Sequence, residues 1–146
     1  HMLDTIAREP LWRHLINYRC GTGHSVSFVG NVHEGPHALN GRNTVVFQPG
    51  MIVTDEPGVY EGGQVGIRIE NELMCVHKAD NQYGTFLGFE PIMFVPIATS
   101  PIVPGVLTKD ELDWLNNYHR QVFEKLAPRL NDEEREWLAK KCAAIG

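Results

Sequence analysis

Five consecutive residues, His33-Glu34-Gly35-Pro36-His37, match the H-E-x-x-H pattern in which two histidines bind zinc. That pattern works on a helix, which places both histidines on one face with the glutamate beside the metal-bound water. Gly35 and Pro36 oppose such a helix, because proline costs about 3 kcal/mol in a helix interior and glycine about 1 kcal/mol more. We therefore expect His33 and His37 to lie on extended or looped backbone and not to share a zinc ion.

A second set of candidate residues is dispersed along the chain. His24 follows a glycine-rich turn, Glu56 ends one predicted strand, and Glu70 lies within the next. Two carboxylates that face a common interior from neighbouring strands repel each other unless a cation or a proton lies between them. The three residues could therefore converge on a metal ion.

The strand that carries Glu70 also contains Arg68. Side chains alternate along a strand, so Arg68 and Glu70 share one face, whereas Ile67 and Ile69 point into the opposite layer. A solvent-exposed strand with Arg68, Glu70 and Glu72 in water explains the same spacing. A hydrogen-bonded loop histidine likewise explains His24, so the spacing alone leaves both alternatives open.

Five runs of sequence together resemble the Xaa-Pro aminopeptidases, a family of metallopeptidases. The resemblance covers nearly the whole chain, in the family's order and spacing. The runs are Tyr-Arg-Cys-Gly-Thr-Gly-His at 18–24, Asn-Val-His-Glu-Gly-Pro at 31–36, Thr-Asp-Glu-Pro-Gly at 54–58, Gly-Ile-Arg-Ile-Glu-Asn at 66–71 and Trp-Leu-Asn-Asn-Tyr-His at 114–119.

The resemblance implies a role for each candidate residue. His24, Glu56 and Glu70 would be metal ligands, with Glu70 bridging two divalent cations, expected to be Mn²⁺, and Glu56 also handling protons. Such a metal pair holds a hydroxide and polarises the scissile carbonyl. His33 would be a catalytic, substrate-side residue that hydrogen-bonds near the proline or the oxyanion. Arg68 would brace a carboxylate ligand by charge-assisted hydrogen bonds.

The chain departs from the family pattern in three ways. The family's two metal-binding aspartates belong upstream of His24, where no Asp-rich strand pair is found, so the metal site is expected to be incomplete in this chain. Cys20, on the substrate side, stands where the pattern has histidine, and a thiol cannot replace an imidazole. Ser25 and Ser27 stand where glycines are usual, and we expect them to crowd backbone that needs unusual torsions.

With Glu56 and Glu70 near one another and no metal between them, we expect at least one of the two to have a raised pKa or to find a cationic partner such as Arg68.

The elements that must position these residues can be predicted from periodicity and turn signals. Glycines divide residues 18–50 into strand and loop, and three longer strands follow that favour an antiparallel sheet. The predicted elements are a helix over 3–17, β-like runs at 25–29 and 44–47, and strands over 51–56, 65–76 and 86–97.

Two capping boxes predict two helices near the end of the chain. Thr108 with Glu111 and Asn131 with Glu134 have the required spacing of three residues. Residues at spacings of three and four make the first helix amphipathic, and a further set gives the second helix its apolar side. These residues are Leu112, Leu115, His119, Val122 and Leu126 in the first helix and Trp137, Leu138, Cys142 and Ile145 in the second.

Composition excludes several classes of partner. The 146 residues carry a formal net charge of −5 and no cluster of Lys and Arg, which argues against nucleic acid and anionic membranes. No apolar run approaches the length of a membrane span. The cysteines Cys20, Cys75 and Cys142 are odd in number and far apart, which favours a reducing compartment. The predicted location is the cytoplasm.

The predicted fold class is α+β, the C-terminal portion of a pita-bread domain with a curved antiparallel sheet backed by helices and a two-helix extension. Residues 1–2 are interpreted as a tag remnant, 3–100 as part of the catalytic domain and 101–146 as the helical extension.

The predicted function is that of a dinuclear aminopeptidase acting on peptides with proline at the second position, and the chain alone is expected to be inactive. The alternative is a pita-bread peptide-binding or interaction module without catalysis. A homodimer is expected, because the aromatic residues Trp114, Tyr118, Phe123 and Trp137 exceed what two short helices can bury.

Overall fold

The computed structural model describes residues 1–146, which form two compact units, His1–Met93 and Phe94–Gly146. Each unit has its own secondary structure and its own buried side chains. The boundary predicted between residues 100 and 101 lies inside the second unit. Among the helices of both units, none combines the length and the apolar character needed to cross a membrane.

Helix α1 runs from Met2 to Trp12 and is shorter than the predicted span of residues 3–17. Pro10 lies in the last turn, where its missing N–H removes one helical hydrogen bond, and the helix ends two residues later. The backbone then leaves the helical conformation, since Leu15 has a φ of 60° and a fully exposed side chain. Leu15 and Ile16, which suggested a longer apolar face, therefore lie outside the helix.

Residues 18–50 are mostly irregular. They contain two very short strands, β1 (Gly23–His24) and β2 (Ala38–Leu39), which pair antiparallel. The β-like runs predicted at 25–29 and 44–47 do not form strands. Phe28 is fully exposed, so its apolar side chain has no partner layer to pack against.

The first unit contains a three-stranded antiparallel sheet, whose strands in spatial order are β3 (Ile52–Asp55), β6 (Asn71–Asn81) and β7 (Gly84–Pro91). The predicted antiparallel sheet is therefore confirmed. Val53 and Cys75 are its most deeply buried side chains. Strand β7 ends at Pro91, whereas the prediction had it run to residue 97.

The strand predicted over residues 65–76 is broken in two. Its first part, β5 (Val65–Arg68), pairs with β4 (Gly58–Glu61), whereas its second part belongs to the central sheet. The whole of β5 is exposed, and so is Ile69. Ile67 and Ile69, which were predicted to share one layer, are both exposed, and β4 and β5 form a separate two-stranded sheet; this agrees with the alternative of a solvent-exposed strand.

Pairing between the two stretches of chain, residues 52–61 and 65–74, is interrupted at one place, and the unpaired residues of the two stretches face each other. The pair Asp55–Asn71 closes the central sheet, and the pair Gly58–Arg68 opens the two-stranded one. Between these pairs one side of the ladder holds residues 56–57 and the other holds residues 69–70. A proline at 57 has no N–H to donate, which accounts for the gap. Glu56 and Glu70 therefore occupy facing breaks.

The second unit contains helices α2 (Lys109–Leu126) and α3 (Asp132–Lys141), joined by a short 3-10 helix at Ala127–Arg129. Both helices begin where the sequence predicts. The side chains of Thr108 and Asn131 accept the backbone N–H three residues later, and the glutamate at that position accepts the N–H of the cap in return.

Three residues, Tyr118, Val122 and Leu138, form the buried core of the second unit. The aromatic surface predicted for association is smaller than expected, because Tyr118 is buried and Phe123 is partly buried. Trp137, predicted on the apolar side of α3, is 56% exposed instead. Partly buried side chains around this core are Phe94, Ile97, Phe123, Leu126, Leu130 and Cys142.

Candidate functional site

The site begins where β1 meets β3. Gly23 approaches the backbone of Thr54 so closely that only glycine fits there. The approach places the next residue, His24, beside Thr54, whose hydroxyl oxygen accepts the His24 backbone N–H at 3.0 Å. The backbone of His24 is thus held against Thr54 of β3.

His24 and Glu56 form the centre of the site. The Nε2 atom of His24 lies 2.9 Å from Oε1 of Glu56, and both side chains are largely buried. Thr54 donates its hydroxyl to the same carboxylate oxygen at 2.9 Å. The Nδ1 atom of His24 lies 3.1 Å from the Ser25 carbonyl, which favours a proton on Nδ1. The Nε2 lone pair then faces a carboxylate, and two such acceptors attract a shared proton or metal ion.

Arg68 binds the other oxygen of the same carboxylate. Its Nη1 contacts Oε2 of Glu56 and donates to the Glu56 carbonyl oxygen at 2.9 Å. Its Nε donates to the Tyr60 hydroxyl at 2.7 Å. The predicted cationic partner for a glutamate is therefore present, and the contact is charge-assisted. Glu56 is held from two sides, by His24 and by Arg68.

His33 lies next to His24, with 3.9 Å between the two ring centroids, and is exposed. Ser25 ties its loop to β1, because the Ser25 hydroxyl donates to the Glu34 carbonyl and the Glu34 N–H donates to the Ser25 carbonyl at 3.1 Å. Neither Ser25 nor Ser27 has a positive φ, so the torsions that favour glycine are not found at these two positions.

His37 lies apart from this pair. Its Nε2 is 2.7 Å from the carbonyl oxygen of Ile52, and its ring packs edge-on against Phe47. Residues 33–37 contain no helix, so the prediction of looped backbone for His33 and His37 is confirmed. The backbone here is not the helix on which an H-E-x-x-H zinc site is built.

The structure joins only two of the three predicted metal ligands. Glu70 is exposed and does not complete a ligand group with His24 and Glu56; no three His, Cys, Asp or Glu side chains are placed to hold a metal ion. Cys20 lies at the edge of the site, with Sγ 3.6 Å from the Gly58 carbonyl oxygen and 4.0 Å from Nη2 of Arg68.

Sequence reasoning missed several residues that shape the site. Thr54 lies two positions before Glu56, and alternation along the strand could have indicated that their side chains share a face. Asp4 and Arg8 are four residues apart on α1, the spacing of a helical ion pair. No comparable signal marks Thr22, which joins this ion pair to the site.

Comparison with known proteins identifies the family. The model of metallopeptidase family M24 matches residues 1–77, and that of the C-terminal region of peptidase M24 matches residues 85–145. The chain belongs to metallopeptidase family M24. The family model reaches over the whole site, including His24, Glu56 and Glu70.

Curated relatives narrow the resemblance further. The chain is 44% identical to Aminopeptidase P1 of Lotus japonicus, covering all of this chain and 23% of that protein. It is 46% identical to Aminopeptidase P2 of Arabidopsis thaliana, over 94% of this chain and 20% of that protein. The chain therefore spans about a quarter or less of the length of these relatives, and the resemblance to Xaa-Pro aminopeptidases seen in the sequence is confirmed.

A solved structure supports the fold. The X-prolyl aminopeptidase of Caenorhabditis elegans, described as a cytosolic enzyme with a di-nuclear active site, matches with a TM-score of 0.88 and 38% identity. The match covers 99% of this chain and 24% of that one. The predicted α+β class, a portion of a pita-bread fold with antiparallel sheets and two helices at its end, is confirmed.

The residues of this chain fit a di-nuclear metal site only in part. An imidazole nitrogen and a carboxylate oxygen are ligands that divalent ions take, and those of His24 and Glu56 converge. Two ligands are too few to fix the positions of two metal ions, and no third His, Cys, Asp or Glu side chain is placed beside them.

Proposed function

We propose that this chain forms part of the active site of a metal-dependent aminopeptidase that removes an N-terminal residue preceding proline. The observation that carries the proposal is the convergence of His24 Nε2 and Glu56 Oε1, in a chain of family M24. The names of the relatives support the substrate class, peptides with proline at the second position. The metals are proposed to be two divalent ions, with Mn²⁺ as the working ion.

Each site residue has a proposed role. His24, Glu56 and Glu70 are ligands, and the facing ladder breaks that hold Glu56 and Glu70 support a bridging role for Glu70. Glu56 also handles protons. His33, exposed beside His24, is the substrate-side donor near the oxyanion.

Two further residues have supporting roles. Arg68 holds one Glu56 oxygen, which leaves the other for the site. Cys20 lies on the substrate side in place of an imidazole.

The chain by itself is proposed to be inactive and to bind Mn²⁺ weakly. A hard divalent ion takes about six ligands, mostly oxygen, and two ions need further carboxylates for charge and bridging geometry. In this chain only His24, Glu56 and Glu70 are proposed as ligands. The other ligands are proposed to lie outside this chain.

Calorimetric titration with Mn²⁺, beside an assay on a short Xaa-Pro peptide, tests the proposal in this chain and in the full-length gene product. We expect two tightly bound ions and turnover in the full-length product only. The variant His24→Ala should remove turnover there, whereas His37→Ala, outside the site, should leave most of it. Tight binding of two ions with turnover by this chain alone would contradict the inactivity proposed for it.

A second candidate is a peptide-binding module without catalysis, and Cys20 is the observation that favours it. A weak thiol donor stands 4.0 Å from Nη2 of Arg68, where the family pattern has an imidazole. Binding of an Xaa-Pro peptide by the full-length product without cleavage, restored to cleavage by Cys20→His, would favour this candidate.

We also propose that the protein is a cytoplasmic homodimer that binds neither nucleic acid nor membrane. The cytosolic description of the Caenorhabditis elegans relative supports the location, and the net charge of −5 supports the absence of nucleic acid. Trp114 and Trp137, 59% and 56% exposed, support self-association through the second unit.

A further inference from the structure

A buried ion pair lies behind the site, on helix α1. Asp4 is 5% exposed, and one turn later Arg8 donates from Nε to its Oδ2 at 2.9 Å. Taking two charges out of water costs several kcal/mol per ion unless each charge is well satisfied. The further hydrogen bonds of Asp4 and Arg8 connect this pair to the segment before β1.

Arg8 directs its remaining donors into the segment that leads to β1. Nη1 donates to the Tyr18 carbonyl at 2.7 Å, and Nη2 donates to the Cys20 carbonyl at 2.7 Å. The guanidinium also lies 3.9 Å from the centroid of the Tyr18 ring. A planar fork with several partners fixes the direction of a backbone segment more strongly than a single contact does. The segment from Tyr18 to Cys20 is therefore held against α1.

Thr22 connects this ion pair to the site. Its fully buried hydroxyl donates to Oδ1 of Asp4 and accepts from the Tyr18 hydroxyl at 2.6 Å. Its backbone carbonyl accepts the N–H of Glu56 at 2.7 Å, and its own N–H donates to the Leu39 carbonyl at 2.9 Å. One residue thus touches the buried carboxylate through its side chain and Glu56 through its backbone.

The charge state of Asp4 agrees with this role. Burial acts to raise the pKa of Asp4, but hydrogen bonds from Arg8 and Thr22, with the charge of Arg8, outweigh it and hold the pKa below its ordinary value. Asp4 is an anion at neutral pH and accepts from both partners.

We propose that Asp4 and Arg8 are positioning residues that set the geometry of the His24–Glu56 pair through Thr22. Thr22 is followed by Gly23 and His24, so a displacement of Thr22 moves His24 along the chain and Glu56 through the hydrogen bond. The inference rests on the proposed function only for its consequence in catalysis; the geometric claim holds or fails independently.

The test compares amide hydrogen exchange in the 146-residue chain and its variants. Thr22→Val keeps the shape of the side chain and removes the hydroxyl, Thr22→Ser keeps the hydroxyl, and Asp4→Asn removes the charge. Thr85→Val is the matched control, because it removes an exposed threonine–aspartate hydrogen bond of 2.7 Å to Asp80, outside the site. The probes are the Glu56 amide and, as an internal reference in the central sheet, the Cys75 amide, which donates to the Met51 carbonyl.

We expect Thr22→Val and Asp4→Asn to speed exchange at Glu56 by about tenfold more than at Cys75, as loss of one hydrogen bond allows. The ¹⁵N signals of the His24 ring should shift in the same variants. In Thr22→Ser the Glu56 exchange rate and the His24 ring signals should both stay close to those of the wild type, and Thr85→Val should change neither. Metal and peptide are absent from this experiment, so its outcome is independent of the proposed activity.

An equal acceleration at Glu56 and Cys75 would show that the ion pair only stabilises the fold and would overturn the proposal, as would unchanged exchange at Glu56. If Thr22→Val or Asp4→Asn does not fold, Arg8→Lys carries the comparison, since it keeps the charge and loses the fork to the Tyr18 and Cys20 carbonyls.

Discussion

A Cβ atom added to Gly23 would lie 1.7 Å from the carbonyl oxygen of Thr54, a distance at which backbone must move. We therefore expect Gly23→Ala to lower the free energy of unfolding by about 3 kcal/mol, the upper range for overpacking in a closely packed site. The strands that carry His24 and Glu56 would separate at this point. Urea denaturation of the chain measures the loss.

Gly62→Ala is the matched control for that variant. A Cβ at Gly62 meets nothing within 4 Å, and its backbone has no positive φ, so its effect should stay within about 0.5 kcal/mol. If the urea midpoint of Gly23→Ala equals that of the wild type, β1 can move away from β3 without loss of stability, and the prediction is wrong.

The hold of Arg68 on Glu56 predicts an effect on metal affinity. Arg68 contacts two Glu56 oxygens and the Tyr60 hydroxyl, and lysine cannot reproduce this fork. Loss of a residue that orients a metal ligand typically weakens affinity 10- to 100-fold. Titration of the full-length product with Mn²⁺ should show such a loss in Arg68→Lys.

Fold stability should change little in the Arg68→Lys variant, by about 1 kcal/mol or less, because the ion pair is partly exposed. Arg13→Lys alters an exposed pair with Glu9 on α1 and serves as the control. Equal Mn²⁺ affinity in the wild type and in Arg68→Lys would contradict the proposed role of Arg68 in orienting Glu56.

The sequence predicted best those elements whose signals are local. Both capping boxes lie within four residues of chain, so α2 and α3 begin where expected. The break at residues 69–70 could not be found in this way, because it depends on which strand pairs with which. Leu15 likewise fits a helical pattern, yet its φ of 60° ends any helix there.

For the site, the family motifs pointed to His24, Glu56 and Arg68 but not to Thr22 and Thr54, which contact His24 or Glu56. Thr22 looks like an ordinary loop residue, and its proposed importance comes from a carboxylate eighteen residues earlier in the chain and the backbone N–H of Glu56, between β3 and β4. Such contacts depend on tertiary structure. Glu70 shows the reverse case, since its motif is clear and its side chain joins no ligand group in this chain.

Self-association is predicted to depend on the two exposed tryptophans. Trp114 stacks on Tyr118 with one face and leaves the rest of its ring in solvent. Exposed aromatic residues of this size are typical anchors of protein interfaces, so Trp114→Ala and Trp137→Ala should each weaken dimerisation at least about tenfold. Sedimentation equilibrium at tens of micromolar measures the change.

Tyr83→Ala removes an even more exposed aromatic residue from the β6–β7 turn of the first unit and should leave dimerisation unchanged. A purely monomeric wild type at these concentrations would contradict the prediction, and so would dimerisation that survives loss of both tryptophans.

His119 predicts a pH dependence for the second unit. It is fully buried on α2, its Nε2 accepts the Ile97 N–H at 3.0 Å, and its Nδ1 has no hydrogen-bond partner. Burial lowers the pKa of His119 from its ordinary value of 6.5. The unfolded chain then binds the proton more readily than the folded one, so the free energy of unfolding rises with pH in this range.

We expect stability to be flat above about pH 7 and to fall as the pH drops through 6.5 toward the lowered folded pKa, by at most about 1.4 kcal/mol per pH unit. His119→Gln should remove this contribution to the slope, because its amide oxygen can still accept the Ile97 N–H and does not titrate. Tyr118→Phe, the neighbouring change, removes hydrogen bonds to Val95 and should lower stability by a similar amount at every pH between 5 and 7.5. Urea denaturation across that range measures both variants. A His119→Gln chain with the wild-type slope would show that His119 takes up its proton without disturbing the fold.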